Sequence, residues 1–291
     1  QFDLEDALSN QKEYMCSADL KEFVKKYHLN LSQDGTFNPR DIFGSHDDSD
    51  HVYNTPRAWY MARCLNPSTM NWDGPDADFT PLSDDIPWCM VPEKKVTIED
   101  VKYVLSSHFQ GTPYDPYASY GDKSMKGAYR AIGVNRTDFL GIIQMRPDAG
   151  EDSRAIEWVA FASNVFNTAV PFYTDVEKVP EYFSNTTGDA STDNFYWASR
   201  MIAAMADASY SKSIFHIERY QERVMSKGHE YINQYDELLS KESNAEERMQ
   251  LRQEANEKIA DMVKKETQDT LNKVLYELSN QMKNAYSRSD A

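Results

Sequence analysis

The sequence predicts an α+β fold, a short block of antiparallel strands set between helical regions. Three observations carry that reading. Between residues 128 and 174, runs rich in β-branched and aromatic residues alternate with polar turn signals. Ahead of that block, short capped or amphipathic segments are separated by Gly- and Pro-rich stretches. Behind it, apolar residues recur at helical spacing almost to the C-terminus.

Residues 17–28 (SADLKEFVKKYH) predict a short helix, with Ser17 as N-cap and Leu20, Phe23, Val24 and Tyr27 on one face. Residues 29–50 are rich in Gly, Asp, Ser and Pro and predict a loop. The helix expected over 54–65 has Thr55 as its cap and Pro56 in its first turn. Pro67, Pro75, Pro81, Pro87 and Pro92 mark 66–95 as a long irregular surface connection. Thr97-Ile98-Glu99-Asp100 is a capping-box pattern and opens a helix to about Ser107.

Four strands are expected next, as two successive hairpins: Tyr129–Val134, Phe139–Met145, Ile156–Ala162 and Thr168–Tyr173. The C-terminal region predicts a helix from about Asp193 to Met225, a break at Gly228 and a second helix over His229–Ser240. A last helix over Ala245–Tyr286 carries a stripe through Leu251, Ala255, Ile259, Met262, Val263, Leu271, Val274, Leu275, Leu278 and Met282. Its polar face is acidic, which suits packing on the domain or on a sister subunit and not a membrane surface. The chain thus divides into 1–127 (helix and loop), 128–174 (sheet) and 175–291 (helical).

A formal net charge of −16 over 291 residues repels phosphate backbones and anionic lipid, so neither nucleic acid nor a membrane is an expected partner. No apolar run approaches the roughly 20 residues that span a bilayer. Cys16, Cys64 and Cys89 are odd in number and far apart, which suggests neither a disulfide framework nor a zinc ribbon. A reducing compartment, the cytoplasm, is the expected location. The opening Gln1-Phe2-Asp3-Leu4-Glu5-Asp6 is neither a start methionine nor a signal peptide, so the chain is expected to begin inside a larger product.

The residues by themselves carry few chemical motifs. A nucleophile elbow, a zinc-protease helix, a phosphate loop and a dinucleotide fingerprint are all missing from the sequence. Ser45-His46-Asp47-Asp48-Ser49-Asp50-His51 is dense in potential ligands, but its spacing matches neither an EF-hand nor a helical metal pair, and a solvated loop is expected. The three cysteines read as small packed residues. In Asp50-His51-Val52-Tyr53-Asn54-Thr55-Pro56-Arg57, Arg57 enters a helix whose other face is Ala, Trp, Tyr and Met. Two readings stay open for it: a bidentate carboxylate clamp or a surface salt bridge. Phe109-Gln110-Gly111-Thr112-Pro113-Tyr114-Asp115-Pro116-Tyr117 is a rigid aromatic loop that either walls a pocket or anchors a chain reversal.

Six stretches, taken together, resemble the dipeptidase A family of lactic-acid bacteria, cysteine peptidases among the N-terminal-nucleophile (Ntn) hydrolases. They are SADLKEFVKKY (17–27), NTPRAWYMARCLNPS (54–68), VPEKKVTIEDVKYVLSSHFQGTPYDPY (91–117), YRAIGVNRTDFLGIIQMRPD (129–148), AIEWVAFASNVFNTAVPFY (155–173) and ASTDNFYWASRMIAAMAD (190–207). The likeness covers most of residues 14 to 225, in order and with similar spacing.

The resemblance implies an α-β-β-α sandwich, two antiparallel sheets between helical layers, with the long helical C-terminal region added. It implies hydrolysis of dipeptides by a cysteine at a processed N-terminus whose own α-amino group is the base, with no cofactor. Gln1 stands where that nucleophile belongs, and Cys16 lacks a plausible cleavage context. The nucleophile, its acidic and arginine neighbours and the oxyanion asparagine are therefore expected in a missing upstream segment, and this chain alone is expected to be inactive. In the related bile-salt hydrolases and penicillin acylases an arginine opening a helix completes the active site, a role that falls here to Arg57. Asn164, in a turn between expected strands, and the Tyr114-Asp115 pair are candidates for the substrate-pocket wall. Dipeptides, the upstream segment and further copies of the chain are the implied partners. The rivals are a non-catalytic interaction module built on the long helices and a metal-dependent hydrolase built on His46–His51.

Overall fold

The computed structural model describes residues 4–283 except 11, 34, 46 and 88. The chain forms two compact units, Gln1–Lys94 and Lys95–Ala291.

The first unit holds five short helices: α1 (Leu4–Ser9), α2 (Leu20–Lys26), α3 (Pro39–Phe43), α4 (Asp50–Tyr53) and α5 (Thr55–Leu65). The expected helix over 17–28 is shorter, because Asp19 and not Ser17 precedes its first turn and His28 at φ +53° ends it. Of its apolar face only Val24 is buried, while Phe23 and Tyr27 stay exposed. Thr55 does not cap α5. Asn54 separates α4 from α5, Thr55 is already helical, and Pro56 sits in the first turn where its missing N–H costs nothing. Helix α5 buries Trp59 and Tyr60, and Trp59 Nε1 donates to Phe79 O at 3.1 Å. The Pro-rich connection is irregular as expected. Glu93 pins it, accepting from Ser68 N, Thr69 N and Thr69 Oγ1 at 2.6, 2.5 and 2.7 Å.

The second unit opens with α6 (Ile98–Leu105). Its capping box is formed: Asp100 N donates to Thr97 Oγ1 at 3.1 Å and Thr97 N to Asp100 Oδ2 at 3.0 Å. Strands β1 (Phe139–Met145), β2 (Ala155–Phe161) and β3 (Val170–Tyr173) make one antiparallel sheet in the order β1-β2-β3. Three strands replace the four expected. Residues 129–134 pair with no strand: Gly133 N donates to Ser107 O at 2.8 Å, and a Cβ at Gly133 would lie 2.5 Å from Ser106 O. The segment is drawn onto the end of α6, and its Tyr129 ring packs on Tyr114 at 4.7 Å.

Helices α7 (Glu181–Ser184), α8 (Phe195–Ala208), α9 (Tyr210–Lys241) and α10 (Ala245–Ser279) complete the unit. The expected break at Gly228 is wrong, for Gly228 lies inside α9. Its missing side chain lets the helix close on β3, since a Cβ there would lie 2.8 Å from Pro171 Cγ and Cδ. The break falls at Ser209, whose Oγ bonds to Met205 O at 2.7 Å and Ser213 Oγ at 2.6 Å. Asn244 caps α10 by accepting from Glu246 N and Glu247 N. The predicted end at Tyr286 lies outside the described residues.

The core joins the inner face of the sheet (Ile156, Trp158, Tyr173) to α9 (Tyr220, Val224, Tyr235) and α10 (Ala255, Ile259, Val263). The edge of β3 is closed by a side chain: Asn256 Nδ2 donates to Tyr173 O at 3.0 Å and its Oδ1 accepts from Tyr173 N at 2.9 Å. The architecture is α+β, with one three-stranded sheet among the described residues. None of the described helices is long and apolar enough to cross a membrane.

Candidate functional site

A groove of about 650 Å³ runs between α6 with the loop after it and the first five turns of α9. On the α6 side, the capping box fixes the register that puts Lys102 and Ser106 one turn apart. Lys102 is only 4% exposed. Its Nζ donates to Ser106 Oγ at 2.6 Å and to Asn164 O at 2.7 Å, while Ser106 Oγ donates back to Lys102 O at 2.6 Å. Burial pushes its ammonium down to about 7, because water is removed and no carboxylate among the described residues replaces it.

Two candidates from the sequence stand behind this wall as supports. Asn164 is buried between β2 and β3; its Nδ2 donates to Leu105 O at 3.4 Å and its Oδ1 accepts from Asn167 Nδ2 at 3.2 Å. Gln221 on α9 ties the same loop down, donating to Val165 O at 3.1 Å and Asn167 O at 2.8 Å. Asp115 is buried behind His108: its Oδ1 lies 2.9 Å from His108 Nδ1 and accepts from Tyr117 N at 2.9 Å. His108 Nε2 faces the Tyr210 hydroxyl at 3.3 Å.

Aromatic packing holds this chain of groups in place. Tyr117 and Tyr210 stack at 3.9 Å with their planes 9° apart, and the His108 ring meets both edge-on. Burial pushes the Tyr210 hydroxyl up to about 12, so it stays protonated as a donor. Two non-glycine residues supporting the groove hold left-handed backbone, Phe109 at φ +66° and Ala162 at φ +68°. Such positions cost on the order of 1–3 kcal/mol and persist where the surroundings over-determine them.

The other two candidates are placed elsewhere. Tyr114 packs on Tyr129 and accepts from Gly127 N at 3.0 Å through its main-chain carbonyl, so it shapes the loop and is not on the groove wall. Arg57 belongs to the first unit, where it is half-buried on α5 and its Nη2 donates to Asn54 Oδ1 at 2.7 Å. The first unit also has a carboxylate-lined hollow of about 680 Å³ around Asp41, Asp47, Asp50 and Asp84. There Asp50 accepts from Ser45 Oγ at 2.9 Å, and His51 Nε2 meets Asp84 Oδ1 at 2.9 Å. His46 lies outside the described residues, and among the described ones no three His, Cys, Asp or Glu side chains converge as metal ligands. All three cysteines are free thiols, and burial pushes Cys64 up, away from a thiolate.

Lys102, Ser106, Tyr210 and the groove face of α9 escaped the sequence reading. The one local signal for Lys102 is a lysine amid Val101, Tyr103, Val104 and Leu105 on a well-capped helix.

Residues 1–223 match the model of peptidase family C69. Over an alignment of 329 positions the chain is 46% identical to a dipeptidase of Bifidobacterium longum (strain NCC 2705), covering 100% of this chain and 62% of that protein. It is 46% identical over 283 residues to a probable dipeptidase A of Streptococcus pyogenes serotype M18, covering 97% of the chain and 57% of that protein. With dipeptidase A of Lactobacillus helveticus the identity is 32% over 276 residues, 95% of the chain and 55% of that protein. The chain thus spans about three fifths of the length of these relatives. A family match over most of its length, joined to relatives at this identity, makes the chain a member of peptidase family C69.

Proposed function

We propose that this chain is the C-terminal portion of a bacterial dipeptidase that works by an Ntn-type cysteine mechanism. The observation that carries the reading is 46% identity over the whole chain to a protein called a dipeptidase. In this proposal the nucleophile is a terminal cysteine supplied by sequence outside the chain, and its α-amino group removes the thiol proton. The thiolate attacks the peptide carbonyl, the leaving amino acid takes up a proton, and water hydrolyses the acyl-enzyme. That the relatives extend well beyond this chain supports a site shared with another segment. So does the state of the thiols here: among the described residues none of Cys16, Cys64 and Cys89 bonds to a histidine, and Cys64 is raised by burial.

Within the proposed enzyme the three-stranded sheet is one layer of the α-β-β-α sandwich. Arg57 has a supporting role in catalysis from the start of α5, and Asn164 and Asp115 hold the groove wall, with Tyr114 shaping its loop. The test is dipeptide hydrolysis by the purified chain, alone and mixed with the upstream segment that this proposal assigns to the enzyme. Thiol-sensitive turnover only on mixing is the expected result; steady turnover by the chain alone overturns it.

A second reading, assembly through the long helices, is favoured by exposed Leu275 and Tyr276 near the end of α10. Sedimentation of the chain and of its Leu275→Glu, Tyr276→Glu variant decides it: an oligomer lost in the variant supports an interface there, and an unchanged oligomer or a monomer removes it.

A further inference from the structure

We infer that the groove between α6 and α9 binds a short peptide with both ends free, its terminal carboxylate at Lys102, whose ammonium Ser106 positions, and its terminal ammonium at Glu218 and Glu222. The inference rests on peptides being the substrate class, and it adds the site and the polarity with which they lie in it.

The first observation is an unbalanced charge. Lys102 is 4% exposed, lines the groove, and bonds to two neutral oxygens, Ser106 Oγ at 2.6 Å and Asn164 O at 2.7 Å. An ammonium carries three donors, and two are used among the described residues. A buried cation without a counter-ion is held at a high cost in solvation, which a ligand carboxylate on the third N–H relieves. Burial has already lowered its proton affinity to about 7, so a carboxylate arriving there recharges the amine.

The second observation is opposite in sign. Glu218 and Glu222 are exposed on the groove face of α9, one turn apart, and neither is in an ion pair among the described residues. Like charges at this spacing repel, and a ligand cation between them removes the repulsion. Glu99, the third acid on the wall, is already engaged with His229 at 2.7 Å, which leaves the pair on α9 as the ammonium receptor.

The third observation is shape. Val165, Ile214 and Met225 add apolar side chains to the groove lining, and 650 Å³ lies within the range of small-molecule sites. The stretch of α9 from Tyr210 to His229 is about 28 Å long, against roughly 7 Å for an extended dipeptide. Blocking the carboxylate leaves Lys102 uncompensated, and blocking the amine leaves the glutamates facing each other. The groove therefore rejects capped peptides by unpaired charge as well as by lost contacts.

The test is calorimetric titration of the 291-residue chain at pH 6.5 with alanyl-alanine, N-acetyl-alanyl-alanine and alanyl-alanine amide. Alanyl-alanine is expected to bind, and each capped form to bind at least tenfold more weakly. Lys102→Met is expected to erase the difference between free acid and amide, and Ser106→Ala, which keeps the lysine, to reduce it. The Glu218→Gln, Glu222→Gln double variant is expected to erase the difference between free and acetylated amine. Equal binding of the three peptides, no binding of alanyl-alanine, or differences that survive in the folded variants overturn the inference. Hydrolysis by the mixed segments is read separately. Turnover without binding to this chain removes the groove and leaves the dipeptidase; binding without turnover on mixing does the reverse.

Discussion

Lys102 is the residue whose environment makes the sharpest solution prediction. Burial holds it at about 7 in the folded chain, against the usual 10.5. Between those values the unfolded chain binds a proton that the native chain does not, so stability rises with pH across the window from 7 to 10.5. Below 7 the native state carries the full cost of the buried charge. Lys102→Met is expected to remove the rise and to stabilise the chain at pH 6 by roughly 2–4 kcal/mol. Urea unfolding at several pH values measures this, and parallel curves for the two proteins would contradict the burial argument. Arg252 makes the opposite case. It is 3% exposed, bonds to Asp152 Oδ2 at 2.5 Å and bridges to Asp175 Oδ2 at 3.0 Å. Hydrogen bonds from Arg248, followed by the charge of Arg252, hold the Asp152 carboxyl below its ordinary range. Removing one partner of a fully buried pair costs about 3–5 kcal/mol. Asp175 is 66% exposed and Arg248 stays on Asp152, so Arg252→Met is expected to cost about 2 kcal/mol in denaturant unfolding.

At the level of elements, what was legible followed from local chemistry, and what was not depended on distant partners. The Thr97 capping box and the start of α10 are set by a few neighbouring residues, and both were readable from sequence. Thr97→Ala is accordingly expected to cost about 1 kcal/mol, seen as a lower melting temperature. Gly228 misled because a glycine that ends a helix and one that admits a close neighbour look alike until the neighbour, here Pro171, is known. Gly228→Ala is the discriminating substitution. Helix propensity favours it by about 1 kcal/mol, while overpacking costs about 1–3 kcal/mol. A Cβ 2.8 Å from two atoms of a rigid ring in β3 lets the second effect win. A net loss of about 1 kcal/mol is expected, and a rise in melting temperature would mean that the helix can lift off the sheet at little cost. Residues 129–134 misled in the same way, for their strand-like composition serves to cover the end of α6.

At the scale of the whole molecule, the candidate site was half legible. Asn164 and Asp115 stood out because each sits in a short polar or aromatic loop, and the structure brings both behind one groove. Lys102 and Glu218 did not, because helix folding across more than a hundred residues is what brings them to the same groove. The sheet raises the remaining question. Its β3 edge is closed by Asn256, and aromatic packing of Phe161 and Phe172 on Phe183 covers one end of its outer face. Strand β1 is different: Phe139, Ile143 and Met145 share that outer face and are 54%, 69% and 61% exposed. Three large apolar side chains on an edge strand invite a partner surface. In the proposed sandwich that partner is the second sheet, contributed by the segment outside this chain. Ile143→Asp is therefore expected to leave the chain's own stability within about 0.5 kcal/mol, as for any exposed position. Its effect belongs to assembly. Binding of the upstream segment should weaken at least tenfold, while Phe215→Asp, at another exposed apolar site on α9, leaves it unchanged. Equal binding by the Ile143→Asp and unsubstituted chains would place the second sheet elsewhere and remove β1 from the interface.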